Sequence, residues 1–523
     1  MLDITFITSN ITKLAHARYL SRNHNVNILH YKKKYYGVGY TEPRILDKMK
    51  LLEESMNDAI KRWKKVVSVN STQLFFIEDT SVRIEALSNN DTDYPGADIK
   101  YWMLENDFNN INNILIINKD RKVSITSHIV LFLTKELKEL SSIDNEYIIF
   151  KSTSFGKIVD QEYSFETNII YPWLDNKTFN KWFVPNGYNV PISILKISDA
   201  DNGDFRKESF EQMYKFLGKY YNLNKKNKLE YIDMSFSFSP LFIISGTTCA
   251  GKSTIGKYLL EIYGYYHIEA SDFMTLRYLE THGTKFIIDK HNFAAEILKN
   301  NPLIVVEDTI KYIKEKKIKN KIIITGFRTS YEISSFYKIF SNHDIKMIYI
   351  LADFDIRFNR WVKRNRDMTE YTIERFKKIN DTQDKMGLNK IKNMKNIILF
   401  DNNQEGLDIF YNNFNAAFIN NESISKKMNI ELNIPQKILL EKAILITLAI
   451  KYKENEYNYY TTTEISYLIR EIIKGSNKNK NNISRYFNQS FYPYYEIKKE
   501  NNKLKYKLSP TGYSEACNII NTI

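Results

Sequence analysis

Apolar residues fall into two rhythms along this chain. Short apolar runs bounded by polar turns read as buried strands, and the amphipathic stretches that follow them read as helices. Met1 to Phe6 reads as a first strand rather than a signal peptide, and Leu14 to Leu20 as a helix. Phe75-Phe76-Ile77 reads as a strand that ends in Glu78-Asp79. This alternation predicts an α/β domain over residues 1–222. The chain then turns polar and irregular over 223–238, as a linker would. Strand-like runs return at Leu241–Ser245, Lys321–Thr325, Ile348–Ala352 and Ile397–Asp401, which predicts a second α/β domain over 239–421. After a polar patch at 420–423 the pattern changes again. Lys437–Tyr452, a stretch from Thr461 to Ile473 opened by a capping box, and Asn481–Phe491 read as three helices. A hairpin follows, Tyr494–Lys498 with Leu504–Leu508, and Ser509-Pro510-Thr511-Gly512 opens a last helix. This gives a third, small α+β domain over 430–523. No internal repeat and no apolar stretch of membrane-spanning length is present.

The second domain opens with Gly246-Thr247-Thr248-Cys249-Ala250-Gly251-Lys252-Ser253, a complete G-x-x-x-x-G-K-[ST] loop between a strand and a helix. Gly246 and Gly251 let backbone N–H groups turn in around a phosphate, and the helix N-terminus adds partial positive charge. Lys252 would reach the β- and γ-phosphates of ATP, the Ser253 hydroxyl would ligate Mg²⁺, and Thr247 and Thr254 complete the nucleotide-binding segment. Arg328 ends a buried strand in Gly-Phe-Arg, at the sheet edge where α/β folds place ligands. Arg357, Arg360 and Arg364 share one helical face that would serve as an arginine lid. Asp272 starts a helix, either as its N-cap or as the group that orients an acceptor.

Three segments of the first domain resemble the inosine triphosphate pyrophosphatase family, over about residues 1–220. Thr8, Asn10 and Lys13 match its T-G-N-x-x-K turn, with Ser9 in place of glycine. Glu78-Asp79-Thr80 matches its acidic strand, and Pro95-Gly96 with Ile99-Lys100-Tyr101 matches its Pro-Gly segment. The resemblance implies a mixed-sheet α/β fold and Mg²⁺-dependent cleavage of a nucleoside triphosphate, with non-standard purines as the family's substrates, to NMP and pyrophosphate. It gives Glu78, Asp79 and Glu53 the metal, with Glu54 and Glu42 as alternatives to Glu53, and Lys13 and Lys100 the triphosphate. The family's base pocket falls on Phe179, Asn180 and Arg206. Two positions depart from the pattern: Asn180 replaces an aspartate and Phe205 a histidine, so base preference stays open. The family usually dimerises, which makes a homodimer an expectation here.

The Gly-Phe-Arg strand end and the arginine-rich helix make residues 240–405 similar to adenylate-kinase-like nucleotide kinases, including dephospho-coenzyme-A-kinase-like members. The resemblance implies an all-parallel P-loop sheet and phosphorylation of a nucleotide-like acceptor. The third domain resembles the winged helix-turn-helix group, with Lys478, Lys480 and Arg485 placed for phosphates and either nucleic acid or a protein as partner.

Composition changes this picture little. Hydrophobic residues make up 43%, enough for ordinary cores, and the net charge of +14 suits polyanionic ligands. Cys249 and Cys517 are the only cysteines, which argues against a disulfide framework and for a cytoplasmic protein. The expected function is a bifunctional nucleotide enzyme. The alternative is a regulator in which the two nucleotide sites control the winged helix.

Overall fold

The computed structural model describes residues 2–31, 47–68, 71–168, 170–223, 241–285, 289–318, 321–340, 344–364, 371–419, 438–473, 478–489 and 491–522, with isolated residues between them. Most of the expected linker, the polar patch at 420–423 and Glu42 lie outside the described residues. The chain divides into two compact units, Met1–Asn227 and Lys228–Ile523. The second unit contains both segments that the sequence separates at about 420–430.

The first unit runs β1 (Leu2–Phe6), α1 (Ile11–Leu20), β2 (Val26–His30), α2 (Lys48–Val66), β3 (Leu74–Ile84), β4 (Pro95–Gly96), α3 (Ile99–Glu105), α4 (Phe108–Asn118), β5 (Lys122–Phe132), α5 (Lys135–Ser141), β6 (Tyr147–Ile158), β7 (Phe183–Pro185), α6 (Ile197–Gly203) and α7 (Lys207–Leu217). Its sheet has the order β2-β1-β3-β5-β6-β7, with β4 added to β3. β1 is parallel to β2 and β3; β3, β5, β6 and β7 pair antiparallel. Side chains alternate across the sheet. Phe76 packs with Leu14 and Ala17 of α1 and with Phe210 and Met213 of α7. Its neighbours Phe75 and Ile77 pack on the other face with Met56 and Trp63 of α2.

The second unit begins with β8 (Leu241–Gly246), α8 (Lys252–Tyr263), β9 (Tyr266–Glu269), α9 (Ala270–His282), α10 (Lys290–Asn300), α11 (Ile304–Lys316), β10 (Ile322–Thr325), α12 (Ser330–Ile339), β11 (Ile345–Leu351), α13 (Phe354–Arg364), α14 (Ile373–Met386), α15 (Leu388–Ile391), β12 (Ile398–Asp401) and α16 (Leu407–Phe418). The sheet order is β12-β11-β8-β10-β9, and every pair is parallel. β8 lies at its centre, so both faces are covered and the strand is buried throughout. β9 is an edge strand.

The unit continues through α17 (Leu440–Glu454), β13 (Tyr460–Thr461), α18 (Thr462–Ile472), α19 (Lys480–Gln489), β14 (Tyr495–Glu500), β15 (Lys503–Leu508) and α20 (Pro510–Ile520). The three strands pair antiparallel in the order β13-β15-β14. Thr461 and Glu464 form the expected capping box. The hairpin turns on Asn501-Asn502, both with positive φ, as a two-residue hairpin loop requires.

Candidate functional site

In the second unit, three parallel strands deliver chemistry to one sheet edge. β8 feeds the phosphate loop, where Gly246 and Gly251 have φ of +147° and +113°. A Cβ at Gly246 would lie 2.7 Å from the Ile350 carbonyl oxygen, and one at Gly251 2.6 Å from Asn402 Nδ2. Both positions therefore need glycine. α8 starts directly after Gly251 with no side chain capping it. No side chain thus competes with a phosphate for the first-turn N–H groups. Lys252 Nζ donates to the carbonyl oxygens of Gly246 (2.7 Å) and Thr247 (2.8 Å). Thr247 and Thr254 are half-buried within the loop and the first turn.

Glu269, at the end of β9, is a candidate site residue that no sequence motif marks. Ser253 Oγ donates to its carboxylate at 3.1 Å, Thr325 Oγ1 at 2.6 Å and Ser271 Oγ at 3.0 Å. Burial works against the charge on Glu269, but the neighbouring His267, the Thr325 hydroxyl, the Lys252 ammonium and the Ser271 hydroxyl hold its carboxyl below the usual range. Gly326 makes the space: a Cβ there would meet Glu269 Oε1 at 2.0 Å. This gives the glycine of Gly-Phe-Arg a reason. An acid at the end of the strand after a phosphate loop was the available signal.

Arg328 follows β10 and lies in the field of Glu269 and Glu332. Burial lowers its guanidinium pKa, and its Nη1 approaches Met386 Sδ at 3.7 Å. Arg357 is buried, donating to the carbonyl oxygens of Ala352 (2.9 Å) and Thr248 (3.4 Å) and to Asn380 (2.6 Å). Arg360 donates to the Asn402 carbonyl oxygen at 3.0 Å, and Asn402 in turn donates to Ala250 O at 2.7 Å. The arginine face thus braces the phosphate loop from outside. Arg364 ends α13, and its side chain is not among those described. Beside Thr247 and Arg357 lies an open cavity of about 440 Å³, lined also by Tyr349, Leu351, Lys377 and Asn380.

Asp272 is not the N-cap of its helix. α9 begins at Ala270, so Asp272 lies inside its first turn. It is 8% exposed, and its Oδ2 accepts from the Thr511 backbone N–H at 3.1 Å. Burial and the neighbouring Glu269 push its carboxyl well above the ordinary value.

The first unit assembles its charges differently. Asn10 caps α1, its Oδ1 accepting from the N–H groups of Thr12 (2.9 Å) and Lys13 (3.1 Å), while Thr8 Oγ1 accepts from Asn10 N. β3 runs on to Ile84, so Glu78 and Asp79 stand in the middle of a strand and not at its end. As consecutive strand residues they point to opposite faces. Glu78 is buried with Lys13 (3.1 Å) and Arg206 (3.1 Å) and also accepts from Thr80 and Ser127. Burial opposes its charge, yet Arg206 and Lys13 hold the carboxyl well below the usual range. Asp79 pairs with Lys48 of α2 and stands across from His128 of β5. Burial, with Lys48 and Lys151 nearby, lowers the His128 pKa to about 4.

The remaining expected residues make no hydrogen bond or ion pair with Glu78 or Asp79 among the described residues. Glu53 is exposed and acts on Tyr147, which stands four residues along β6 from the position level with His128, about 13 Å at strand spacing. Lys100 is exposed at the start of α3. Phe179 is no open platform for a base: it is buried edge-on between Trp102 and Trp182. Asn180 is buried and donates to the Trp173 carbonyl oxygen at 2.9 Å. His16, stacked on Trp173, pairs with Asp204 at 2.5 Å.

No group of three or more His, Cys, Asp or Glu side chains that could hold a metal occurs among the described residues. Mg²⁺ in phosphate sites uses only one or two protein oxygens beside water and substrate phosphates. Asp79 in the first unit fits that demand, and so do Ser253 with Glu269 in the second. None of the described helices is long and apolar enough to cross a membrane.

Comparison with known proteins fits this division. Residues 4–216 match the model of the Ham1 family, and residues 245–377 match an AAA domain model. Among solved structures, a HAM1 protein from Coxiella burnetii is 16% identical, with a TM-score of 0.30, covering 42% of this chain and 100% of its own. A nucleoside-triphosphatase, dITP/XTP pyrophosphatase, from Mycobacterium abscessus is 16% identical, with a TM-score of 0.26, covering 40% of this chain and 98% of its own. A gluconokinase from Sinorhizobium meliloti is 12% identical, with a TM-score of 0.22, covering 34% and 90%. No protein of curated function matches the chain. The chain carries a Ham1-like domain at its N-terminus and a kinase-like P-loop domain after it.

Proposed function

We propose that the chain is a two-site nucleotide enzyme. The second unit transfers the γ-phosphoryl group of ATP to a nucleotide-like acceptor. The observation that carries this is the convergence of Lys252, Ser253, Glu269 and Arg328 from three parallel strand ends. Lys252 would neutralise the phosphates, and Ser253 and Glu269 would hold Mg²⁺. Arg328 would meet charge that develops on the transferred group. The first unit would cleave a nucleoside triphosphate at the α–β linkage: water adds at the α-phosphorus, the bond to the β-phosphate oxygen breaks, and pyrophosphate leaves. Lys13 and Lys100 are the cations proposed for the triphosphate, Arg206 a residue of the base pocket, and Asp79 the group for Mg²⁺. On one base these reactions would oppose each other, so the two units are proposed to prefer different bases. The buried places of Phe179 and Asn180 support a base pocket unlike the family's.

Product analysis tests this reading. Lys252→Ala protein with Mg²⁺ and a panel of NTPs and dNTPs should release NMP and pyrophosphate from one or a few bases, and Asp79→Asn should abolish it. Absence of turnover on every base would leave the P-loop unit as the sole catalyst.

One observation favours a second reading, a nucleotide-responsive regulator with a winged helix as output. The outer face of α19 carries Lys480, Asn481, Asn482, Arg485 and Asn488, all exposed and none acidic. The hairpin beside it adds exposed Lys499 and Lys503. Arginine and asparagine are the residues that read base edges, and lysines suit phosphates. DNA binding that weakens steeply with salt and responds to ATP would establish this role; binding indifferent to nucleotide would exclude it.

A further inference from the structure

Edge strands leave one row of backbone N–H groups without a sheet partner. β9 is such a strand, and its outer donors are met by side chains from α20, more than two hundred residues later. His267 N donates to Ser514 Oγ at 3.1 Å, and Glu269 N to Thr511 Oγ1 at 3.0 Å. The match is geometric. Residues 267 and 269 direct their N–H groups to the same side of the strand, and residues 511 and 514 lie on one face of a helix.

The contact is reciprocal and buried. The Thr511 backbone N–H returns a bond to Asp272 Oδ2 at 3.1 Å, and Thr511 and Ser514 are fully buried. On another side Gly512 lets the helix pack against the chain just before β14: a Cβ there would lie 2.1 Å from the Tyr494 carbonyl oxygen. Farther along, Glu515 accepts from Tyr266 (2.7 Å) and Lys316 (2.8 Å), and Tyr513 donates to Glu261 of α8 at 2.7 Å. Helix α20 thus grips β9, α11 and α8; α8 starts at the phosphate loop, and β9 ends in Glu269, which accepts from Ser253.

The residue held by Thr511 is the one whose carboxylate reaches Ser253. We propose that Thr511 is a positioning residue of the phosphoryl-transfer site, holding the backbone of Glu269 so that its carboxylate meets the Ser253 hydroxyl where Mg²⁺ binds. The segment after residue 430 is then a working part of the P-loop site and not an appended module. The proposal rests on the reading of that loop as a Mg²⁺–ATP site.

The test measures binding of a fluorescent ATP analogue to the full chain, with Mg²⁺ and with EDTA. Wild type should bind more tightly with Mg²⁺, and Lys252→Ala should lose binding. Thr511→Val keeps the shape and removes the hydroxyl. It should cut the Mg²⁺-dependent gain about tenfold, the size of one buried hydrogen bond, and leave the EDTA affinity unchanged. Thr511→Ser should restore the gain, and Thr511→Val on a Glu269→Gln background should cost nothing further. Should Thr511→Val not fold, Ser514→Ala releases the same strand two residues upstream and should reduce the gain about threefold. A full Mg²⁺-dependent gain in folded Thr511→Val, or in Ser514→Ala when that variant is read instead, overturns the positioning role alone. Equal binding by wild type and Lys252→Ala overturns the P-loop reading and this proposal with it.

Discussion

The two units each begin with a strand, a turn and a helix, and they treat that helix start in opposite ways. At α1, Asn10 uses its own side chain to take the N–H groups of Thr12 and Lys13. At α8, Gly251 offers no side chain, and the first turn stays available to an anion. The contrast extends to the acids. Glu78 and Asp79 are adjacent in sequence, yet they lie on opposite faces of β3, each satisfied by local cations. Ser253, Glu269 and Arg328 are far apart in sequence, yet parallel strands bring their ends to one edge. Proximity along a strand separates side chains, while parallel registry gathers them.

The largest expected effect breaks the second arrangement. Lys252→Ala should reduce ATP-dependent phosphoryl transfer at least about a hundredfold, read as ADP formation, because charge on the transferred group loses its main cation. Next is the buried charge cluster of the first unit. Glu78→Gln leaves Arg206 and Lys13 facing a neutral amide and should destabilise that unit by about 3–5 kcal/mol in urea unfolding. The same carboxylate sets a pH dependence. Its folded pKa is depressed, so its stabilisation is complete above about pH 5 and is lost as pH falls toward the folded value. The wild-type unit should lose stability steadily below pH 5, and Glu78→Gln should flatten that slope.

A subtler change sharpens the contrast at the sheet edge. Gly326 has φ of +92° and sits against the Glu269 carboxylate. Gly326→Ala should displace that carboxylate and weaken Mg²⁺-dependent ATP binding about tenfold, with a stability loss of about 1–3 kcal/mol. The smallest effect belongs to the capped helix. Asn10→Ala should cost about 1 kcal/mol by thermal unfolding. Tighter triphosphate binding in that variant would mean that the cap and the ligand compete for the same N–H groups.

Local pattern carried much of this into the sequence. The phosphate loop, its strand and its helix were legible because eight consecutive residues carry the whole motif. The capping box at Thr461 and the hairpin around Asn501 were legible for the same reason. Glu269 was not, because its role depends on β10 lying beside β9 and on the room left by Gly326. Phe179 misled because an aromatic that matches a base-stacking position also matches a core position. Only its packing against Trp102 and Trp182 separates the two. Lys48 escaped notice because nothing near it in sequence points to Asp79.

The grip of α20 on β9 also bears on how this unit is made. Strand β9 leaves the ribosome roughly 240 residues before the hydroxyls that cover its outer edge. At translation speeds of about 5–20 residues per second, that edge waits roughly 10–50 s for its partner. During that time it is an open template for other strands. A ribosome that stalls inside the third segment would release a phosphate loop already formed beside an edge still bare.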